Sequence, residues 1–250
     1  MAGLTMKQPT ALEVIQQVLG QLGLPVPQAA ASSVNDETAQ QMLRLLTWCG
    51  RRLIKPTSGW RWTALLRTWS LDTIPGQTLY DLPSDWDSFE DMTGWNSTTR
   101  LPMLGPATDP QWACLKARSL GPTTLSVVYR VRAHKFELYH SPSDVQALLI
   151  DYSSRGWAKD ANAVPDEYRD YILKDDDLIA YDNELIEAKL KLAFLDAKGF
   201  DTTTAQSAYN EIEEQAICAD SDAPVLSAAP SSGYPFINTQ YSLPDTGYGV

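Results

Sequence analysis

DNELIEAKLKLAFLDAKGFDTTTAQSAYNEIEEQAICA, Asp182 to Ala219, is the stretch that decides the fold. Apolar residues recur at Leu185, Ala188, Leu192 and Leu195, with Ile186, Leu190 and Ala193 beside them. That spacing predicts a helix from Asp182 to Lys198 with a broad buried face. Gly199 ends it, because glycine reaches the left-handed conformation that helix ends use. Asp201 and Thr202 to Thr204 supply capping oxygens for a second helix. Its stripe is Tyr209, Ile212, Ala216 and Ala219. So short a link makes the two helices antiparallel neighbours. They are expected to form the heart of a helical bundle.

The N-terminal part repeats this character. Thr10-Ala-Leu-Glu13 is a capping box, and Leu12, Ile15, Leu19 and Leu22 follow at helical spacing up to Gly23. After a loop rich in Pro, Ala and Ser, Asn35 is read as the cap of a second helix, with Asp36 and Glu37 in its first turn. Ala39, Met42, Leu46, Cys49 and Leu53 form its stripe, which ends before Pro56. These helices are expected to pack on the 182–219 pair.

The middle of the chain reads as strands. They fall at 65–71, 78–80, 91–95, 100–104, 125–132, 135–139 and 146–153. Ile74-Pro-Gly-Gln77 is a turn expected to return the 65–71 strand onto 78–80. Asp109 as N-cap and Pro110 at the first position open a short helix. Residues 168–173 and 178–181 read as helical turns. Trp60, Trp62, Trp69 and Trp86 are expected to knit the strands to the helices. The fold class is therefore α+β, mainly α. A helical bundle from 1–62 and 156–219 carries a β-rich insertion, 63–155, and a long extended C-terminal arm, 220–250. The arm has no hydrophobic period and is rich in Ser, Pro and Gly. Tyr234, Phe236, Tyr241 and Tyr248 are spaced as anchors along it, so it is read as docking on a neighbour or another protein.

Composition narrows the function. No apolar run approaches the roughly 18 residues of a membrane helix, so no membrane partner is expected. Met1 to Lys7 holds no apolar signal core, so the chain is expected to stay where it is made unless it leaves inside a particle. The three cysteines, Cys49, Cys114 and Cys218, form no CxxC pair and suggest neither a disulfide framework nor a zinc knuckle. The net charge of −11 is uneven: residues 160–222 hold 17 acidic and 5 basic residues, whereas 1–159 hold 13 and 15. An acidic chain holds nucleic acid poorly. It presents a solvated face, or a surface that DNA passes without sticking.

Motifs of catalysis are missing. GxSxG, Walker A, GxGxxG and HExxH do not occur. On one extended strand His134 and His140 would lie about 20 Å apart, too far for one metal. Asp175-Asp176-Asp177 lacks the alternating ligands and glycine of a calcium loop. Glu213-Glu214, or Asp85 and Asp87, would need one buried and one solvated carboxylate to cleave a glycosidic bond, and the sequence marks neither. No catalytic residue, cofactor or metal is expected. Arg51, Arg52, Lys55, Arg61 and Arg67 are the one basic cluster, suited to phosphate or, given the acidic second half, to an acidic neighbour in an assembly.

The order of elements resembles the head-to-tail adaptor (connector) proteins of tailed bacteriophages, including the tail tubular protein A type. The likeness rests on the helix pair ending in Trp60-Arg-Trp62 and on Thr73-Ile-Pro-Gly-Gln-Thr-Leu-Tyr-Asp-Leu-Pro-Ser-Asp85, which is similar to the family's PGQ…Y.LP.D segment. It rests also on the strands with Leu125-Ser-Val-Val-Tyr129 and Tyr152, and on Glu184 to Tyr209 with its Lys198-Gly-Phe-Asp201 corner. The resemblance implies a virion protein at the head-tail interface, made in the host cytoplasm and assembled as a ring of twelve copies. It implies portal and tail or nozzle proteins as partners, with genomic DNA passing through the channel without specific binding. Asp175, Asp176 and Asp177 become candidates for the channel wall. Arg51, Arg52 and Arg61 become candidates for contacts between subunits or with phosphate. Two other readings stand beside it: a tail-accessory peptidoglycan hydrolase and an oligomeric scaffold unconnected with phage.

Overall fold

A computed structural model describes residues 8–32, 36–56, 58–117, 126–164 and 166–220. The architecture is mixed α+β: five helices and three antiparallel sheets among the described residues.

Helix α1, Ala11–Gln21, begins at the capping box. Glu13 N donates to Thr10 Oγ1 at 3.2 Å, and Thr10 N donates to Glu13 Oε2 at 2.9 Å. Helix α2, Glu37–Ile54, is capped by Asp36, whose Oδ1 accepts from Thr38 N and Ala39 N, both at 3.0 Å. The cap is thus Asp36, one residue beyond the expected Asn35, which lies outside the described residues. Ala39, Met42, Leu46, Cys49 and Leu53 are buried as their spacing implies.

Helix α4, Asn183–Lys198, ends on Gly199 at φ 72° and leads into α5, Thr203–Asp220. It packs against α1, α2 and α5. Being central, it buries Leu185, Ile186, Leu190, Leu192, Ala193 and Phe194, more than one stripe. On α5 only Tyr209 is buried; Ile212 and Ala216 are half-buried and Ala219 is exposed.

The main sheet is built on strand β8, Ala147–Ser154. Strand β1, Leu66–Asp72, lies along one edge of it over seven residue pairs, from Leu66 opposite Ser153 to Asp72 opposite Ala147. On its other edge lie β3, Trp86–Phe89, and β4, Trp95–Asn96, which also pairs with β5, Leu101–Pro102. A second sheet has the order β2, Leu79–Asp81; β7, Lys135–Leu138; β6, Tyr129–Arg132. The Ile74–Gln77 turn forms, with Gln77 N donating to Ile74 O at 3.0 Å, but it does not close a hairpin. It carries the chain from one sheet to the other, because β8 offers β1 seven partners where β2 offers only three residues. Helix α3, Asp109–Ala117, follows β5. Its cap is Thr108, which exchanges hydrogen bonds with Gln111, rather than Asp109.

The third sheet corrects the expectation of helical turns at 168–181. Strand β9, Ala158–Lys159, pairs on one side with β10, Tyr168–Arg169, and on the other with β11, Leu178–Ile179. Segments this short cannot meet the cost of helix nucleation, and strand pairing satisfies their backbone instead.

Two apolar cores result. One joins α1, α2, α4 and α5 around Trp62, Trp157 and Tyr181. The other fills the β region around Phe89, Tyr129, Phe136 and Ile150. The tryptophans do not bridge them: Trp60 and Trp62 pack with the helical core, Trp69 and Trp86 with the β core.

Candidate assembly surfaces

The acidic run at 175–177 is spent on folding. Asp177 is 1% exposed. Its Oδ2 accepts from Leu173 N at 2.8 Å and Lys174 N at 2.9 Å, and its Oδ1 lies 3.4 Å from Arg169 Nη2. Arg169 Nη2 and Lys174 Nζ also reach Asp160 Oδ2, at 2.8 and 2.7 Å. The Lys174 ammonium and the Asn162 N–H hold the Asp160 carboxyl below its ordinary pKa. Asp175 Oδ1 accepts from Ala30 N and Ala31 N at 3.0 and 2.8 Å. The carbonyls of Asp175 and Asp177 accept from Leu12 N and Ala11 N, so this loop also satisfies free donors at the start of α1. Asp177 is therefore corrected from a channel candidate to a buried structural acid. Asp176 alone of the three is exposed, its Oδ2 accepting from Asn162 Nδ2 at 2.7 Å.

The basic cluster does not gather into one patch. Arg51 Nε donates to Asp170 O at 3.0 Å and lies 3.3 Å from its carboxylate. Arg61 pairs with Glu90 at 2.7 Å and Lys55 with Asp87 at 2.8 Å. Arg67 lies over the Tyr168 ring, 3.4 Å from its centroid, with Asp85 at 3.7 Å. Arg52 is exposed and makes no ion pair among the described residues. Sequence reading missed these carboxylate partners because each comes from a distant segment.

Arg52 lines a groove of about 520 Å³ between α2, α4 and α5, together with Trp48, Lys189, Leu192, Tyr209 and Glu213. The Lys189 ammonium sits 4.1 Å from the centroid of the Tyr209 ring. Burial lowers the Lys189 pKa and pushes the adjacent Cys49 thiol up to about 12, so Cys49 is an inert core thiol. A second groove, of about 510 Å³, lies along the other side of α5. Gln21, Glu184, Glu187, Asp201 and Ile212 line it. Burial raises the Glu187 pKa; Gln21 Nε2 donates to its Oε2 at 3.2 Å, while its Oε1 is buried without a well-formed hydrogen bond among the described residues.

The anchors expected in the arm, Tyr234, Phe236, Tyr241 and Tyr248, lie outside the described residues. The residue at which the arm is expected to begin lies among the described ones. Asp220, the last residue of α5, accepts from Trp60 Nε1 at 2.9 Å and from Thr63 N at 3.0 Å, and also from the Thr63 hydroxyl. The carboxylate thereby ties the end of α5 to the junction between α2 and β1. The nearest sequence signal was the aromatic Trp60-Arg-Trp62.

The groups screened for catalysis stand apart. His134 occupies the two-residue turn between β6 and β7, so the two histidines do not share one strand. Asp85 accepts from Tyr152 and Ser154 hydroxyls at 3.0 and 2.6 Å, whereas Asp87 faces Lys55. Among the described residues no three His, Cys, Asp or Glu side chains come together as metal ligands, and no helix is long and apolar enough to cross a membrane.

No curated protein matches the chain. Residues 9–228 match the family model described as SU10 adaptor protein, a span that takes in every helix and strand among the described residues. The chain therefore belongs to the SU10 adaptor family and is a structural adaptor of the phage head-tail type.

Proposed function

We propose that the chain assembles as a ring of twelve copies between the portal and the tail, docks on the portal, extends the DNA channel and offers the attachment surface for the tail or nozzle. The observation that carries this reading is the family match over residues 9–228. The charge supports it: twelve copies at −11 carry about −130 formal charges, and a wall of that sign repels phosphate and lets DNA slide. Asp176 is the one acid of the 175–177 run still suited to such a wall. In this reading 1–62 and 156–219 form the helical unit of the ring, 63–155 is an insertion, and residues 220–250 are a docking arm that starts from the Asp220 anchor.

The test is to mix the purified chain with the portal of the same phage and sediment the mixture. A stable complex with a fixed number of copies of this chain on each portal is expected. A chain that stays apart from the portal, alone or with tail proteins present, contradicts the proposal.

A further inference from the structure

Helix α5 stands on α4 as a ridge with an open groove on each side, and the two grooves share no lining residue. They differ in charge. Beside the first, Arg44, Trp48 and Arg52 follow at four-residue intervals and stand in one exposed row on α2. Trp48, between the two arginines in sequence, leaves 52% of its surface in solvent. Trp and Arg are the side chains that most often anchor protein contacts. Asp196 and Glu213 also line this groove, but the Tyr209 hydroxyl engages Glu213. The second groove carries Glu184, Glu187 and Asp201 against one lysine, Lys191. Its Glu184 is exposed, and Glu187 one turn along is a partly buried carboxylate.

We propose that the Arg44–Trp48–Arg52 row of one copy docks into the acidic groove of the next copy, with the Arg52 guanidinium on the exposed Glu184, beside Glu187, and the Trp48 ring against Ile212. The occupant is a second copy because both halves of the charge match lie on this one chain, on opposite sides of the same ridge. A contact between two different surfaces of identical subunits repeats head to tail and closes as a ring when the rotation allows. This contact deepens the ring reading and rests on it.

The test uses the full chain in sedimentation velocity, alone and with the portal. Arg52→Glu and Glu184→Arg, both at exposed positions, are each expected to keep the wild-type Tm and to fall to monomers, with the dissociation constant between copies raised at least tenfold. Mixing Arg52→Glu with Glu184→Arg is expected to restore rings, because every contact in an alternating ring again joins Arg to Glu. Reversal variants that assemble like wild type overturn this contact and leave the ring standing. So does failure of the mixture to recover, or rings that form normally but no longer bind portal or tail, which would assign the row to that partner. Wild type that is monomeric under all these conditions overturns the contact and the ring together.

Discussion

At the scale of single residues, Gly50 and Trp157 fit closely together. Gly50 lies inside α2, where glycine ordinarily costs about 1 kcal/mol relative to alanine. A Cβ there would stand 2.2 Å from the Trp157 ring. That ring is fully buried and stacks on Tyr181, so it has no room to retreat. Gly50→Ala should therefore destabilise the chain, by about 1 to 3 kcal/mol for overpacking, despite the gain in helix propensity. A raised Tm in thermal unfolding would refute this. A second residue-scale expectation concerns acid. The folded pKa of Asp160 lies below its unfolded value. Its stabilising contribution is therefore present above about pH 4 and is lost as pH falls through the lower folded value. Asp160→Asn should flatten stability against pH in that acid window; an unchanged profile would show that Asp160 does not contribute. None of this was legible in the sequence. A glycine inside a helix and an acid in an acidic run take their meaning from partners far along the chain.

At the scale of elements, what could be read was local. The Thr10–Glu13 box, the Gly199 stop and the stripe of α2 are set by neighbours within one turn, and they stand where their spacing puts them. The strand positions at 129–132, 135–138 and 147–154 were also legible from composition and alternation. Pairing was not. The partner of β1 is β8, some eighty residues away, and no local rule chooses it over β2. The β6–β7 hairpin offers a direct test of local strain. Its two turn residues, Ala133 and His134, have φ of 50° and 56°, a conformation that suits Asn and Gly far better. Replacing them with Asn-Gly should raise stability by about 1 kcal/mol, since each side chain otherwise crowds its own backbone. Chemical denaturation measures this, and a lowered midpoint would indicate that Ala133 or His134 makes a contact that outweighs the strain.

At the scale of the whole molecule, the described residues form two cores and an α5 that buries only Tyr209 among them, which leaves surface for partners. The adaptor family was legible from the Thr73–Asp85 segment and the order of elements. The candidate surface was only partly so, because Asp177 turned inward and Arg51 and Arg61 found carboxylates within the chain. Removing residues 221–250 keeps the Asp220 anchor and both cores. The truncated chain should fold with an unchanged circular dichroism spectrum yet lose its attachment to the portal; full attachment would show that the arm is dispensable. The most direct measurement is an electron cryomicroscopy map of the portal vertex of the virion. A ring of copies of this fold is expected between portal and tail, around the DNA channel. A vertex whose density leaves no place for the paired cores of residues 11–220 would contradict the head-to-tail adaptor.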